Sequence, residues 1–322
     1  MLPTTIVDCH HHFLAPDQPY HALLGKLGAP AYTAAQYLED SGSLPITKTV
    51  HVEAIADDGL GEAAAVDALA NSGACKVAAI VANCNLAADD AAAQLDALKA
   101  CSPRVKGIRL ILDYDGPFDG VNCTHIACKE HNTDYLRDPV ASKAFERGFA
   151  LLAERDLSFD LQCCPAQMAA AEALVKRHPN VRVCIDHLGK LWRLQVDGGA
   201  EDAAKLAAWR SAMTGLAALP QVCCKLSMLG SAVPGWPGDA AKEALLKDLV
   251  LEVIALFGPK RCMFNSNWHI NGAISNSDAP HDADAGLTMA GLFERFASWT
   301  AHLSAEDRDW LFAKSAEAFY RI

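Results

Sequence analysis

The sequence predicts an α/β fold, a single (β/α)8 barrel with an extra C-terminal helix, with residues 1–322 forming one domain. Three observations predict it. Strand-like and helix-like segments alternate eight times with no linker-like change of composition. Strands such as Val77-Ala78-Ala79-Ile80-Val81-Ala82 are apolar on both faces, as a parallel sheet covered by helices requires. Polar residues collect at the C-terminal ends of these strands, where such barrels carry their chemistry. An open doubly wound sheet is the alternative, but no Gly-x-Gly-x-x-Gly follows the first strand, which leaves a dinucleotide site unsupported.

The first strand, 6–13, runs from Ile6-Val7 into Asp8-Cys9-His10-His11-His12-Phe13. Strict alternation puts Asp8, His10 and His12 on one face and Cys9 and His11 on the other. A loop rich in Pro, Gly and His follows, and Thr33 opens a helix over 33–40. The second strand is 47–54, with a helix at 61–72; the third is 76–83, with a helix at 89–101. The fourth, 105–112, leads into a long polar segment over 113–138, read as a lid, and then a helix over 139–155. The fifth strand is 158–164; its helix, 166–178, stops at Pro179. The sixth is 181–187 with a helix at 201–219, the seventh 222–227 with a helix at 239–257, and the eighth 261–267. Helices over 285–300 and 304–320 close the chain, the latter capped by Ser304 with Asp307.

At 322 residues the chain buries a large core without staples. Its net charge of −11 argues against a nucleic-acid partner. No apolar run reaches the ~20 residues of a membrane span, and no signal peptide is visible. Twelve cysteines without a secretory signal imply free thiols in a reducing compartment, hence a cytoplasmic location. Most pack as small hydrophobes in strands.

Two imidazoles at His-x-His spacing on one strand face, His10 and His12, suit a divalent metal. The second strand ends in His51 and Glu53, the fourth in Arg109, the fifth in Gln162, the sixth in Asp186-His187-Leu188-Gly189, the seventh in Lys225 and Ser227, and the eighth in Asn265-Ser266-Asn267. An inward Arg109 either binds a substrate carboxylate or pairs with a fixed acid such as Glu53. Lys225 poses the same choice between anion anchor and buried ion-pair partner. The Cys123, His125, Cys128 and His131 spacing in the long loop is tighter than usual zinc sites. The segment 275–284, with His281, is a second polar loop that either supplies a late acid or is simply solvated.

Asp8-Cys9-His10-His11-His12-Phe13, Lys106-Gly107-Ile108-Arg109, Ile185-Asp186-His187-Leu188-Gly189-Lys190, Lys225-Leu226-Ser227 and Met263-Phe264-Asn265-Ser266-Asn267-Trp268 together resemble the amidohydrolase-related family of TIM barrels. The branch they resemble contains sugar lactonases and 2-pyrone-4,6-dicarboxylate lactonase. The ending with Leu311-Phe312 and Phe319-Tyr320-Arg321 is similar to that family's last helix. The resemblance implies a barrel hydrolase in which His10, His12 and His187 bind a divalent ion and position 267 activates water. It leaves open whether zinc or manganese is needed or the site works without metal. Here the family's aspartate is Asn267, and an amide is a poor general base. Glu53, sharing a face with His51, is the first candidate to replace it.

The expected function is hydrolysis of a lactone, of a sugar acid or of a pyrone- or muconolactone-type carboxylate. Arg109, Lys225, Ser227, Gln162 and His51 are the expected substrate contacts, and the partner is a small carboxylated molecule or sugar lactone. A decarboxylase of the same superfamily and a non-catalytic ligand-binding barrel, disabled at Asn267, are the rival readings. The sequence leaves oligomeric state open, a homo-oligomer included.

Overall fold

The computed structural model describes residues 1–119, 121–128, 132–268 and 287–322. One sheet carries eight strands in sequence order: β1 Ile6–His11, β2 Ile46–Val52, β3 Val77–Asn83, β4 Val105–Arg109, β5 Ser158–Leu161, β6 Val183–Ile185, β7 Val222–Leu226 and β8 Cys262–Phe264. Successive strands pair in parallel. The ring closes just past β8. Asn267 N donates to the His10 carbonyl at 2.8 Å, and His12 N donates to the Trp268 carbonyl at 2.9 Å. Closure of the barrel and placement of the histidine stretch are therefore one set of hydrogen bonds.

Strand residues divide into two apolar clusters, as alternation in a covered barrel demands. Val7, Cys9, Val50, Val52, Ala79, Val81, Cys184, Cys223 and Met263 fill the interior. Ile6, Ile46, Ile80, Ile108, Phe159, Ile185 and Leu226 pack outward against the helices. The strand-to-strand connections carry α3 Gly59–Asn71, α4 Ala91–Cys101, α5 Ala141–Glu154, α6 Met168–Arg177, α7 Gly199–Ala217 and α9 Ala240–Phe257, with the short α8 Leu229–Ala232 between β7 and α9. Ahead of them lie α1 Ala22–Lys26 and α2 Ala34–Ser41, between β1 and β2. Thr33 caps α2 through a reciprocal box with Gln36. After β8 come α10 Met289–Trp299, α11 Ala305–Asp309, a π turn at Trp310–Lys314 and α12 Ser315–Tyr320. Ser304 accepts from Asp307 N, as the sequence implies. Ala316, Phe319 and Tyr320 join the interior cluster and seal the barrel at the end away from the strand C-termini. All twelve cysteines are free thiols.

Two expectations are corrected. First, β1 does not alternate strictly. Asp8 pairs with Thr49 and His11 with His51, three steps on β1 against two on β2. That β-bulge re-aims the side chains. Asp8 turns outward, where its carboxylate accepts from Tyr37 Oη at 2.7 Å and Ser266 Oγ at 2.6 Å. Cys9 enters the interior, and His11 faces the Tyr37 ring at 4.5 Å. Second, several strands are shorter than expected, β8 ending at Phe264, because Asn265, Ser266 and Asn267 turn over the barrel mouth. Asn267 does so in the left-handed region, at φ 50°, which asparagine tolerates better than most residues.

Candidate active site

The strand ends and the loops beyond them line a cavity that opens to solvent. One part of its wall is polar: His12, Arg109, His125, Gln162, His187 and Asn267. The rest is apolar: Leu14, Leu24, Ala54, Ile55, Ile111 and Met228. A few convergent polar groups in a mostly apolar cleft are what small-molecule sites share.

The imidazoles are oriented by partners behind them. His12 Nδ1 lies 2.8 Å from the Val52 carbonyl. A carbonyl only accepts, so Nδ1 carries the proton and Nε2 offers a lone pair. That Nε2 sits 3.3 Å from Asn267 Oδ1, a second acceptor. His187 Nδ1 is 3.1 Å from Ser227 Oγ. His10, fully buried beneath the cavity, has Nδ1 3.2 Å from Lys225 Nζ and 3.5 Å from Asp186 Oδ1, and Nε2 3.4 Å from Arg109 Nη1. The His10 ring centroid is 5.0 Å from that of His12 and 4.7 Å from that of His187. Burial, and then neighbouring charge, lowers all of these pKa values. For His10 the nearest charge is Lys225; His12, next to Arg109, falls to about 3; His187 is depressed by burial and His10 against the pull of Asp186. All are neutral near pH 7, which is the form that offers lone pairs.

Arg109 lies between cavity and barrel wall. Its Nε donates to Glu53 Oε1 at 2.7 Å, Nη2 donates to the Glu53 carbonyl, and Nη1 donates to Gln162 Oε1 at 3.3 Å. Of the two roles the sequence left open, pairing with Glu53 is realised, and the guanidinium still lines the cavity. Glu53 does not line it; its other oxygen takes Ala56 N at 3.2 Å and Asn83 Nδ2 at 3.4 Å. As a structural counter-ion, Glu53 is no longer a candidate base. Lys225 is likewise an internal partner rather than an anchor at the surface of the cavity. It is fully buried, bonded to Asp160, and 3.2 Å from Asp186 Oδ1. Burial opposes its charge, but Asp160 and then Asp186 overcome this and hold it protonated. Ser227 orients His187. His51 is not brought to the site: its Nε2 is 3.3 Å from Glu62 Oε1, and its ring stacks on Phe13 at 5.4 Å on the helix side.

Two further residues enter the site. Asp186 is buried, and neither carboxylate oxygen has a hydrogen-bond donor among the described residues, although Lys225 and Arg109 lie near it. One ligand atom each from His10, Asp186 and His187 lie within 4.8 Å of one another. The signal in the sequence was an acid at the end of an apolar strand, which needs a partner once buried. His125 comes from the loop after β4 and lines the cavity. The cysteines of that loop do not form a metal site with it: Cys128 Sγ bonds the Ile111 carbonyl at 3.5 Å, and no metal-type grouping among the described residues includes Cys123, His125 or Cys128. His131 and the 275–284 segment with His281 lie outside the described residues.

The family model described as Amidohydrolase matches residues 7–322. The L-fucono-1,5-lactonase of Burkholderia multivorans is 32% identical over 179 residues, covering 55% of this chain and 56% of that protein. The chain spans just over half the length of the first curated relatives it matches. A crystal structure of an amidohydrolase from Burkholderia multivorans with bound HEPES superposes with a TM-score of 0.74 at 25% identity, covering 99% of both chains. A second crystal form of an amidohydrolase from that organism, with bound zinc, gives a TM-score of 0.74 at 24% identity and the same coverage. No helix among the described residues is long and apolar enough to cross a membrane.

Proposed function

Since the chain belongs to the amidohydrolase family, we propose that it is a hydrolase opening a lactone, of a sugar acid or of a pyrone- or muconolactone-type carboxylate, and that residues 1–322 act as one catalytic domain. The observation that carries this reading is the convergence of neutral His12 and His187 beside Arg109 and Asn267 at one cavity, with His10 packed against both imidazoles beneath it.

A water in the cleft that donates one hydrogen to the His12 Nε2 lone pair is placed for attack, with Asn267 Oδ1 beside it, 3.3 Å from that nitrogen. This leaves the water's own lone pair for the carbonyl carbon. His12 takes the proton on attack. Its new Nε2–H then donates to Asn267 Oδ1, so an amide serves at position 267 where a carboxylate base is not needed. Asn267 Nδ2, buried and without a partner among the described residues, and the Arg109 guanidinium are donors for the developing oxyanion. The proton passes from His12 to the alkoxide leaving group as the ring opens, giving the free hydroxy acid.

The donor set also fits a divalent cation such as zinc or manganese. His10, His187 and the carboxylate of Asp186, which lacks a hydrogen-bond donor among the described residues, would hold it next to His12, sharing Asp186 with Lys225. Bound there, it would polarise the carbonyl and bring water's pKa to about 7.

The test is a panel of sugar lactones and pyrone carboxylates, assayed after dialysis against chelator and again with added zinc or manganese. Ring opening of at least one member is expected. No turnover under any condition overturns the proposal, and release of carbon dioxide from aromatic or muconate-type acids assigns a lyase instead.

A further inference from the structure

We infer that His125, reaching in from the loop after β4, is a substrate-contacting residue that donates its Nε2–H to an acceptor oxygen of the bound molecule; this rests on the lactonase reading for the kind of molecule bound. The ring lines the cavity, yet its Nδ1 is turned back on its own loop, accepting from Ala127 N at 3.1 Å. A backbone N–H only donates, so Nδ1 is the unprotonated nitrogen. In a neutral imidazole the proton then sits on Nε2. Burial, followed by the charges of Lys190 and Arg109, keeps this imidazole neutral through the physiological range. No hydrogen bond engages Nε2 among the described residues, so the donor is left for the cavity. The arrangement is the opposite of His12, whose Nδ1 donates backward and whose Nε2 accepts.

The loop holding His125 is fastened to the barrel rather than draped over it. Lys190 Nζ bonds Asp113 and reaches the Cys123 carbonyl at 3.3 Å, while Asp113 Oδ2 also accepts from Gln162 Nε2 at 2.7 Å. Thr124 Oγ1 donates to the Gly116 carbonyl at 2.7 Å and accepts from Asp115 N at 2.8 Å. A donor fixed this way loses little freedom on binding, which is the condition for it to contribute to affinity. Arg109, Asn267 and His125 then make the polar wall rich in donors, and the substrate must bring acceptor oxygens on more than one side of its ring.

Two measurements test this. Two-bond proton–nitrogen NMR correlations on histidine-labelled protein, with His125 assigned by comparison with His125→Gln, should show the Nε2–H tautomer between pH 6 and 8. An Nδ1–H tautomer, or a doubly protonated ring at pH 6, overturns the inference without reference to activity. On the lactone turned over best, His125→Phe should lower kcat/KM roughly ten- to a hundredfold. His125→Gln, which keeps an N–H at the same bond distance from the backbone, should recover most of the kcat/KM that Phe loses. Phe as active as the parent, or Gln as poor as Phe, overturns it. If no lactone is hydrolysed, the lactonase reading fails, and the tautomer measurement alone decides the role of His125.

Discussion

The role of His12 beside Asn267 depends on which atoms carry protons. His12 must be neutral to accept, and its pKa lies at about 3, lowered first by burial and then by Arg109. Activity should therefore hold steady from neutral pH down toward that value and fall only as His12 protonates. In Asn267→Asp a carboxylate replaces the amide oxygen 3.3 Å from Nε2 and raises the His12 pKa, so the acidic limb of the kcat/KM profile should move to higher pH. An unmoved limb would remove His12 from the proton step. Asn267→Ala should cost roughly a hundredfold in kcat. Glu53 has a different kind of role. Removing it leaves the buried Arg109 guanidinium without its counter-ion, so Glu53→Ala should destabilise the fold by about 3–5 kcal/mol in urea unfolding. A loss of activity with unchanged stability would instead return Glu53 to the chemistry.

Elements matter here through where they end and what they plug. The bulge in β1 gives the histidine stretch one residue more than β2 beside it. That is why His10 and His12 reach the site while Asp8 ties Tyr37 and Ser266 together outside the barrel. The helical ending works from the opposite side. Tyr320 Oη donates to Asp160 at 2.9 Å beneath Lys225, and Phe319 packs against the interior cluster. Phe319→Ala should cost about 3 kcal/mol, read as a lower denaturation midpoint with an unchanged slope. A stability equal to the parent's would mean that the plug is not part of the cooperative core.

For the whole molecule, acid is the natural denaturant. His10, His11 and His187 are held well below 6.5 by burial, so the unfolded chain takes up protons that the folded one refuses. Glu62, despite burial, is brought down to about 2 by His21 and His51, and contributes stability above 4.5 that is lost as pH falls toward 2. Both effects have the same sign; Asp8 and Asp160, raised by burial, oppose them, and with the histidines outnumbering these two the thermal midpoint should drop from pH 7 to pH 4. A flat profile would show that these groups are already shielded in the unfolded ensemble. The barrel, its strand order and the convergence of His10, His12, His187 and Arg109 were legible in the sequence, because apolar periodicity and polar strand ends are local signals repeated eight times. Whether Arg109 and Lys225 face a ligand or an internal acid, that His51 turns to the helices, and that Asp186 and His125 join the site were decided only by tertiary structure. Each of these turns on which partner a buried polar group finds across the barrel or a loop, and spacing along a chain carries no record of distances between residues far apart in it.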